Sequence, residues 1–426
     1  MEMAERFKAP QLKLIGDVNF LQPNAGYLKN GIPVFMQKGG SQEIIKFELV
    51  FKSGNYHQSK PLQAYTTANL LKAGTKYKTS EQINQLWDFY GVTLQMDAQK
   101  DIISIGFVAL VRHFKPALEL LIEIITSPVF PEDEVHLFLR NLKQKHLVNM
   151  RKVQFIARMH FAELIFGPSH PYGKRLEEDD FEKLVRDDLV DFHHRFFHPD
   201  NVVCFIAGNY PKELIEIINK TLDAFNHIPQ KQKDNIFVKP EISKTNKHYI
   251  EKSEALQSAI RVGKPIINRG HPDYHLLSIT NTLLGGYFGS RLMRNIRQDK
   301  GYTYGINSAM VNLLRDAYFF IGSQVGKPVR DKALIEVYNE LRNLRQKPAG
   351  EHEINMLRNY LSGSFLRSFD GPFMQSERFK EIFLFGQDYE WFNNYLHALK
   401  NFTSSDIREI AEKYLHENDM IELVVG

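Results

Sequence analysis

A single cysteine, Cys204, in 426 residues leaves no partner for an internal disulfide and excludes any Cys-rich zinc cluster. Long apolar runs are missing as well. No window approaches ~18 uninterrupted apolar residues, so the sequence predicts no membrane-spanning helix. Charge of one sign is scarce: 54 basic against 50 acidic side chains give a net +4, too diffuse to point to nucleic acid. The opening stretch MEMAERFKAPQLKLIGD has acidic residues and no apolar segment. It does not read as a secretory leader, and a soluble cytoplasmic protein is the expectation. The signatures G-x-S-x-G, H-E-x-x-H and H-x-x-E-H are all absent. Cys204 lies in NVVCFIAG, which predicts a buried strand and a small core residue rather than a nucleophile.

What the chain does have is apolar content, 43%, ample for the cores of two or three domains, and an internal repeat. DDLVDFHHRFFHPDNVVCFIAG, ending at Gly208, resembles SDIREIAEKYLHENDMIELVVG, ending at Gly426. Leu189/Ile407, His198/His416 and Gly208/Gly426 all stand 218 positions apart (407 − 189 = 218). Upstream, PALELLIEII (116–125) echoes KALIEVYNEL (332–341), DIISIGF (101–107) matches DAYFFIG (316–322), and FYGVT (89–93) matches DKGYT (299–303). An offset that drifts slowly along four segments indicates two homologous halves with small insertions. Each half mixes alternating strands, such as 44–51 and 101–110, with helical stretches, such as 113–126 and 329–346. The predicted fold class is α+β: two homologous α/β sandwich domains, each a mainly antiparallel sheet with helices on one face. The domains are expected over 1–225 and 248–426, with the Lys-, Asn- and Pro-rich stretch 226–247 as an exposed tether.

Candidate chemistry concentrates in GGYFGSRLMRNIRQDKGYTYGI, residues 285–306. Ser290 is placed as a helix N-cap, and Leu292 and Ile296 share the helix's buried side. Gly301 is placed to end the helix in a left-handed turn. The following YTYGINSA alternates as a strand, with Tyr302 and Tyr304 on one face. Arg297 and Tyr304, seven apart, would then offer two converging donors, suited to a carbonyl that becomes an oxyanion. From spacing alone the plainer reading is the stronger: an arginine near a helix C-terminus suits the dipole, and a strand tyrosine is commonly core. GGYFGS fits neither phosphate-binding glycine motif. His194 and His198, and likewise His271 and His275, have an i, i+4 spacing used by zinc sites, but nothing nearby completes either set. The helix-ending histidine of both halves suggests capping.

These residues resemble the pitrilysin/insulinase-type metallopeptidases, a family that includes the mitochondrial processing peptidase and respiratory-complex core subunits. The resemblance runs from YLKNGIPVFM at 27 to the end. It implies an inverted zinc motif, H-x-x-E-H, near residue 65, and a glutamate ligand some way downstream. Here LLKAGT fits the tail of that motif and places Tyr65, Ala68 and Asn69 where the ligands and general base would stand. Downstream, Gln144, Lys145 and His146 surround the third-ligand position, with no carboxylate. The expectation is that this chain holds no zinc. The family's second element, an arginine and a tyrosine seven apart, is matched by IRQDKGYTY with Arg297 and Tyr304; the first repeat has Trp87 and Leu94 at those slots. Some branches of the family divide the labour. The resemblance therefore implies a heterodimer with a homologous H-x-x-E-H subunit that brings the zinc, and peptide as substrate. The alternative is a catalytically inert structural or peptide-binding subunit like the respiratory core proteins, and a peptide-binding homodimer is a third possibility.

Overall fold

The computed structural model describes residues 15–16, 18–226 and 238–426. The first half opens with β1 (Asn24–Tyr27), β2 (Pro33–Lys38) and β3 (Ile44–Phe51). Helices α1 (Gln63–Leu70) and α2 (Ser80–Tyr90) lead to β4 (Thr93–Ala98) and β5 (Ile103–Leu110). Then come α3 (Val111–Thr126), α4 (Glu132–Asn149), α5 (Val153–Phe166), the short α6 (Asp180–Lys183) and α7 (Arg186–Phe196), before β6 (Val202–Gly208) and α8 (Leu214–Leu222). Residues 227–237 of the expected tether lie outside the described residues, and β7 (Lys247–Ile250) begins at its far end. The second half continues with β8 (Gln257–Pro265), α9 (Tyr274–Asn281), β9 (Ile306–Asn312), β10 (Ala317–Gly326) and α10 (Arg330–Gln346). It closes with α11 (Glu351–Arg367), α12 (Gly371–Leu384), α13 (Glu390–Asn401), α14 (Ser404–Tyr414) and β11 (Ile421–Val425).

The repeat is visible in the topology. The first sheet is ordered β1-β2-β6-β3-β5-β4 and the second β7-β11-β8-β10-β9. Without β1, the two orders superpose strand for strand, and the one parallel pair falls at the same place in each, β2 with β6 and β7 with β11. Gly91 and Gly301, equivalent in the repeat, both end a helix with φ near +65°, at +63° and +67°, a conformation that costs glycine little. His198 and His416 each precede a short 3-10 turn that feeds the last strand of its half, Pro199–Asn201 and Glu417–Asp419.

Strand alternation explains why both faces of each sheet need cover. On β3, Ile45, Phe47, Leu49 and Phe51 point into the first core, together with Cys204 and Ile206 of β6. Burial raises the Cys204 thiol pKa, in keeping with a core residue. The opposite face of the same strands carries Val50, Val203 and Phe205. The sequence places helices on one face only; the structure covers this second face as well, with a helix from the other half. Phe379 and Phe383 of α12 pack on Phe35, with ring centroids 4.8 and 4.7 Å away. The exchange is reciprocal. Val153, Ile156, Ala157, Phe161 and Ile165 of α5, from the first half, cluster with Ala259, Ile421, Leu423 and Val425 of the second sheet. Each fully buried side chain of this size contributes about 1.5–3 kcal/mol. A polar clasp accompanies the α12 contact: Lys380 Nζ donates to Glu48 Oε1 and Oε2 at 2.8 and 2.7 Å, and Lys46 pairs with Glu377.

Candidate functional site

After α9 the chain widens into a π-helix, Thr282–Gly286, and passes through a loop. It restarts as helix at 291 and widens again over Met293–Asp299. π turns are rare and tend to sit at functional sites. The extra residue per turn shows in the bond from the Lys300 N–H to the Asn295 carbonyl, 3.0 Å. Leu292, Met293 and Ile296 anchor the apolar side of this segment in the second core. Its polar side is pinned as well: Arg291 makes a two-pronged contact with Glu353 at 2.9 and 2.8 Å, and the Asn295 amide donates to Glu336 and Glu340 at 2.9 and 2.7 Å. The approach of β9 makes a glycine necessary at 285, where a Cβ would stand 2.5 Å from the Ser308 nitrogen. Ser290, expected as a side-chain cap, instead has its hydroxyl buried without a hydrogen-bond partner, and only its carbonyl accepts, from Arg294 N–H at 2.9 Å.

On this rigid segment Arg297 is half-buried, its guanidinium 4.9 Å from the ring centre of Phe288, itself 61% exposed. Among the described residues the Arg297 side chain makes no hydrogen bond or ion pair, so its donors remain available. Phe288 was not singled out from the sequence. An aromatic pair set between glycines, GGYFGS, was the only available signal.

The strand expected from Tyr302 begins later, at Ile306. Hydroxyls displace the ladder. Thr303 Oγ1 donates to the Gln324 carbonyl at 2.7 Å and accepts from Gly305 N–H at 3.1 Å, while Ser323 Oγ donates to the Gly305 carbonyl at 2.9 Å. Side-chain bonds of this kind compete with sheet pairing. The first β9–β10 pair is consequently Ile306 with Ser323. Tyr302 and Tyr304 therefore do not share a strand face: Tyr302 packs against the second core, and Tyr304 is 92% exposed on the loop. In the first repeat the equivalent Trp87 is buried and Leu94 packs against the core. Among the described residues no hydrogen bond links Arg297 with Tyr304; the first lies in the last turn of the helical segment Met293–Asp299 and the second on the loop that follows it.

In the first half, Tyr65, Ala68 and Asn69 lie on α1. Tyr65 is 38% exposed, with its ring 6.1 Å from that of Phe138 on α4. Ala68 is fully buried, and Asn69 turns its amide back to the Tyr65 carbonyl at 2.8 Å. On α4, Gln144 and Lys145 are exposed, while His146 is buried against the rings of Phe155 and Phe181. Burial holds the His146 pKa down. A phenol, a methyl group and an amide are poor zinc ligands, so these residues do not fit a zinc ion.

The other histidines resolve into structural roles. The helix carrying His194 ends at Phe196, so His194 and His198 are not on one helical face; His194 is exposed and His198 buried. His271 Nδ1 accepts the Asp273 N–H at 3.1 Å, whereas His275 packs its ring 4.6 Å from Trp391. Burial pushes the His275 pKa down to about 4. A folded-state pKa below the ordinary 6.5 means that the unfolded chain takes up the proton first, so stability is lost as pH falls from 6.5 towards 4. Replacing His275 by Phe should remove roughly 1–2 kcal/mol of that loss. Urea denaturation at pH 7 and pH 4.5 reads it; an equal loss in variant and parent would contradict it.

Comparison with known proteins gives a consistent picture. Residues 183–361 match the peptidase M16 inactive domain. The chain is 20% identical over 352 residues to an uncharacterized zinc protease, YmxG, of Bacillus subtilis strain 168, covering 80% of this chain and 83% of the relative. It is 20% identical over 401 residues to the non-peptidase homolog YmxG of Helicobacter pylori, covering 93% and 92%. A crystal structure of a peptidase M16 inactive domain from Pseudomonas fluorescens superposes with a TM-score of 0.86 at 21% identity, over 95% of this chain and 98% of that one. The periplasmic protease PqqL of Escherichia coli superposes with a TM-score of 0.77 at 15% identity, over 98% of this chain and 47% of its own. No helix among the described residues is long and apolar enough to cross a membrane.

Proposed function

We propose that this chain, a homologue of the M16 metallopeptidases with that family's inactive domain over residues 183–361, is the non-zinc subunit of a two-subunit peptidase. A homologous partner supplies the metal, the attacking water and the general base. This chain supplies the grip on the substrate. Arg297 donates one or two N–H bonds to the scissile carbonyl oxygen, and the Tyr304 hydroxyl donates another. Both bonds strengthen as that oxygen becomes an oxyanion. Phe288, under the guanidinium, limits its motion and so reduces the reorganisation needed at the moment of reaction.

One observation carries this reading. A tyrosine stands 92% exposed on a loop, at a position whose counterpart in the other repeat, Leu94 on β4, packs against the core. The test is peptide hydrolysis by this chain alone, by a zinc-bearing homologue alone, and by the mixture. Turnover in the mixture at least ~100-fold above either component is expected, the scale set by one lost oxyanion donor. Peptide binding without turnover in the mixture would support an inert subunit instead, a role that the name of the Helicobacter pylori relative also suggests.

A further inference from the structure

A cleft of about 830 Å³ opens between the first turn of α5 and the face of the second sheet formed by β8 and β10. Its charged lining has one sign: Arg151, Lys152, Arg158 and Arg261, with no carboxylate. None of the four makes an ion pair among the described residues. Lys152 reaches only the Asn149 side chain, at 2.9 Å, while Arg158 and Arg261 lie over the rings of Phe155 and Phe320, at 5.3 and 4.6 Å. Burial, with Arg158 close by, disfavours the charged form of Arg261. Cations gathered in a recess without counter-charge are costly to the fold alone and favourable to an anionic visitor. The N-terminal end of α5 reinforces the field, having no acidic residue in its first turn and no side-chain cap.

The rest of the lining is apolar or neutral, including Val153, Phe320 and Leu256, which is 90% exposed. A free inorganic anion would use little of this surface, whereas the volume is in the range that accommodates several side chains. The cleft also reaches the candidate site directly, because Gly305, next to Tyr304, forms part of its wall.

We propose that this cleft is a carboxylate-binding subsite for an extended peptide, through which the chain prefers acidic peptides. The proposal rests on the function above only in placing peptide beside Tyr304. Its test is binding by this chain alone, so it stands or falls independently of turnover. Fluorescence anisotropy would compare three labelled peptides: one with internal Asp and Glu and an amidated end, its Gln/Asn counterpart with an amidated end, and that counterpart with a free carboxylate. The first should bind at least ~10-fold tighter than the second at low salt, the gain weakening as salt is raised. If the third matches the first, the terminal carboxylate is the group recognised; if it matches the second, acidic side chains are. Arg261→Gln, and separately Arg158→Glu on the exposed rim, should reduce the preference of the first peptide over the second to near unity. Absence of binding, equal binding of the first two peptides, or a preference that survives both substitutions would overturn the proposal.

Discussion

Tyr304→Phe, in a complex with a zinc-bearing homologue, should lower peptide turnover about 10²–10³-fold, with assembly and melting temperature unchanged. Only one hydroxyl is removed, and it comes from a side chain that is 92% exposed, so the fold loses nothing. Arg297→Ala should cost at least as much, because a charged donor is lost and Phe288 is uncovered. Arg297→Lys should recover little, since a single ammonium cannot reproduce the planar fork over that ring. The loss should appear in kcat and kcat/KM together, as for an interaction made only in the transition state. If both variants retain near-normal turnover in an intact complex, the two residues are not the oxyanion's donors.

The second large effect is on stability. Lys380→Met should destabilise the protein by about 3–5 kcal/mol, read by urea denaturation at neutral pH. Lys380 and Glu48 have side chains 13% and 10% exposed and meet at 2.7 Å. Burial alone would lower the lysine's pKa, yet Glu48 and Glu377 together hold it above the ordinary value. Removing the ammonium takes away the only cation bonded to both Glu48 oxygens and leaves the buried carboxylate with Lys46, 4.0 Å away and already paired with Glu377. Adding Glu48→Leu should restore most of the loss, because a well-packed apolar pair is often as stable as a buried ion pair. An unchanged midpoint for Lys380→Met would mean that the clasp contributes nothing.

How far the sequence could be read depended on what kind of signal each element carries. IIKFELVF, apolar at 45, 47, 49 and 51 with Lys46 and Glu48 between, predicted the strand found at Ile44–Phe51, and the helical stretches near 113–126 and 329–346 became α3 and α10. The duplication was legible because equivalent residues keep equivalent jobs, as Gly91 and Gly301 do. The crossing of α5 and α12 was not. Their apolar stripes require an apolar partner, and both sheets offer one, so periodicity alone cannot choose between them. The candidate site was half legible. Spacing alone left the plainer reading of Arg297 and Tyr304 the stronger and only the family resemblance singled them out, while the alternation of Tyr302 and Tyr304 predicted a strand. It failed because Thr303 and Ser323 satisfy the local backbone through hydroxyls, which an apolar pattern does not register. Phe288 went unseen because its importance lies in what rests on it.

The traded helices bear on ancestry. α5 and α12 occupy corresponding places in the two repeats, and each lies on the sheet of the other. A primordial single-repeat polypeptide would have left that sheet face bare unless a sister molecule lent its helix. Gene fusion would then have joined two partners already intertwined, and the same logic makes separately expressed fragments, cut within 227–237, obligate complements rather than independent folding units.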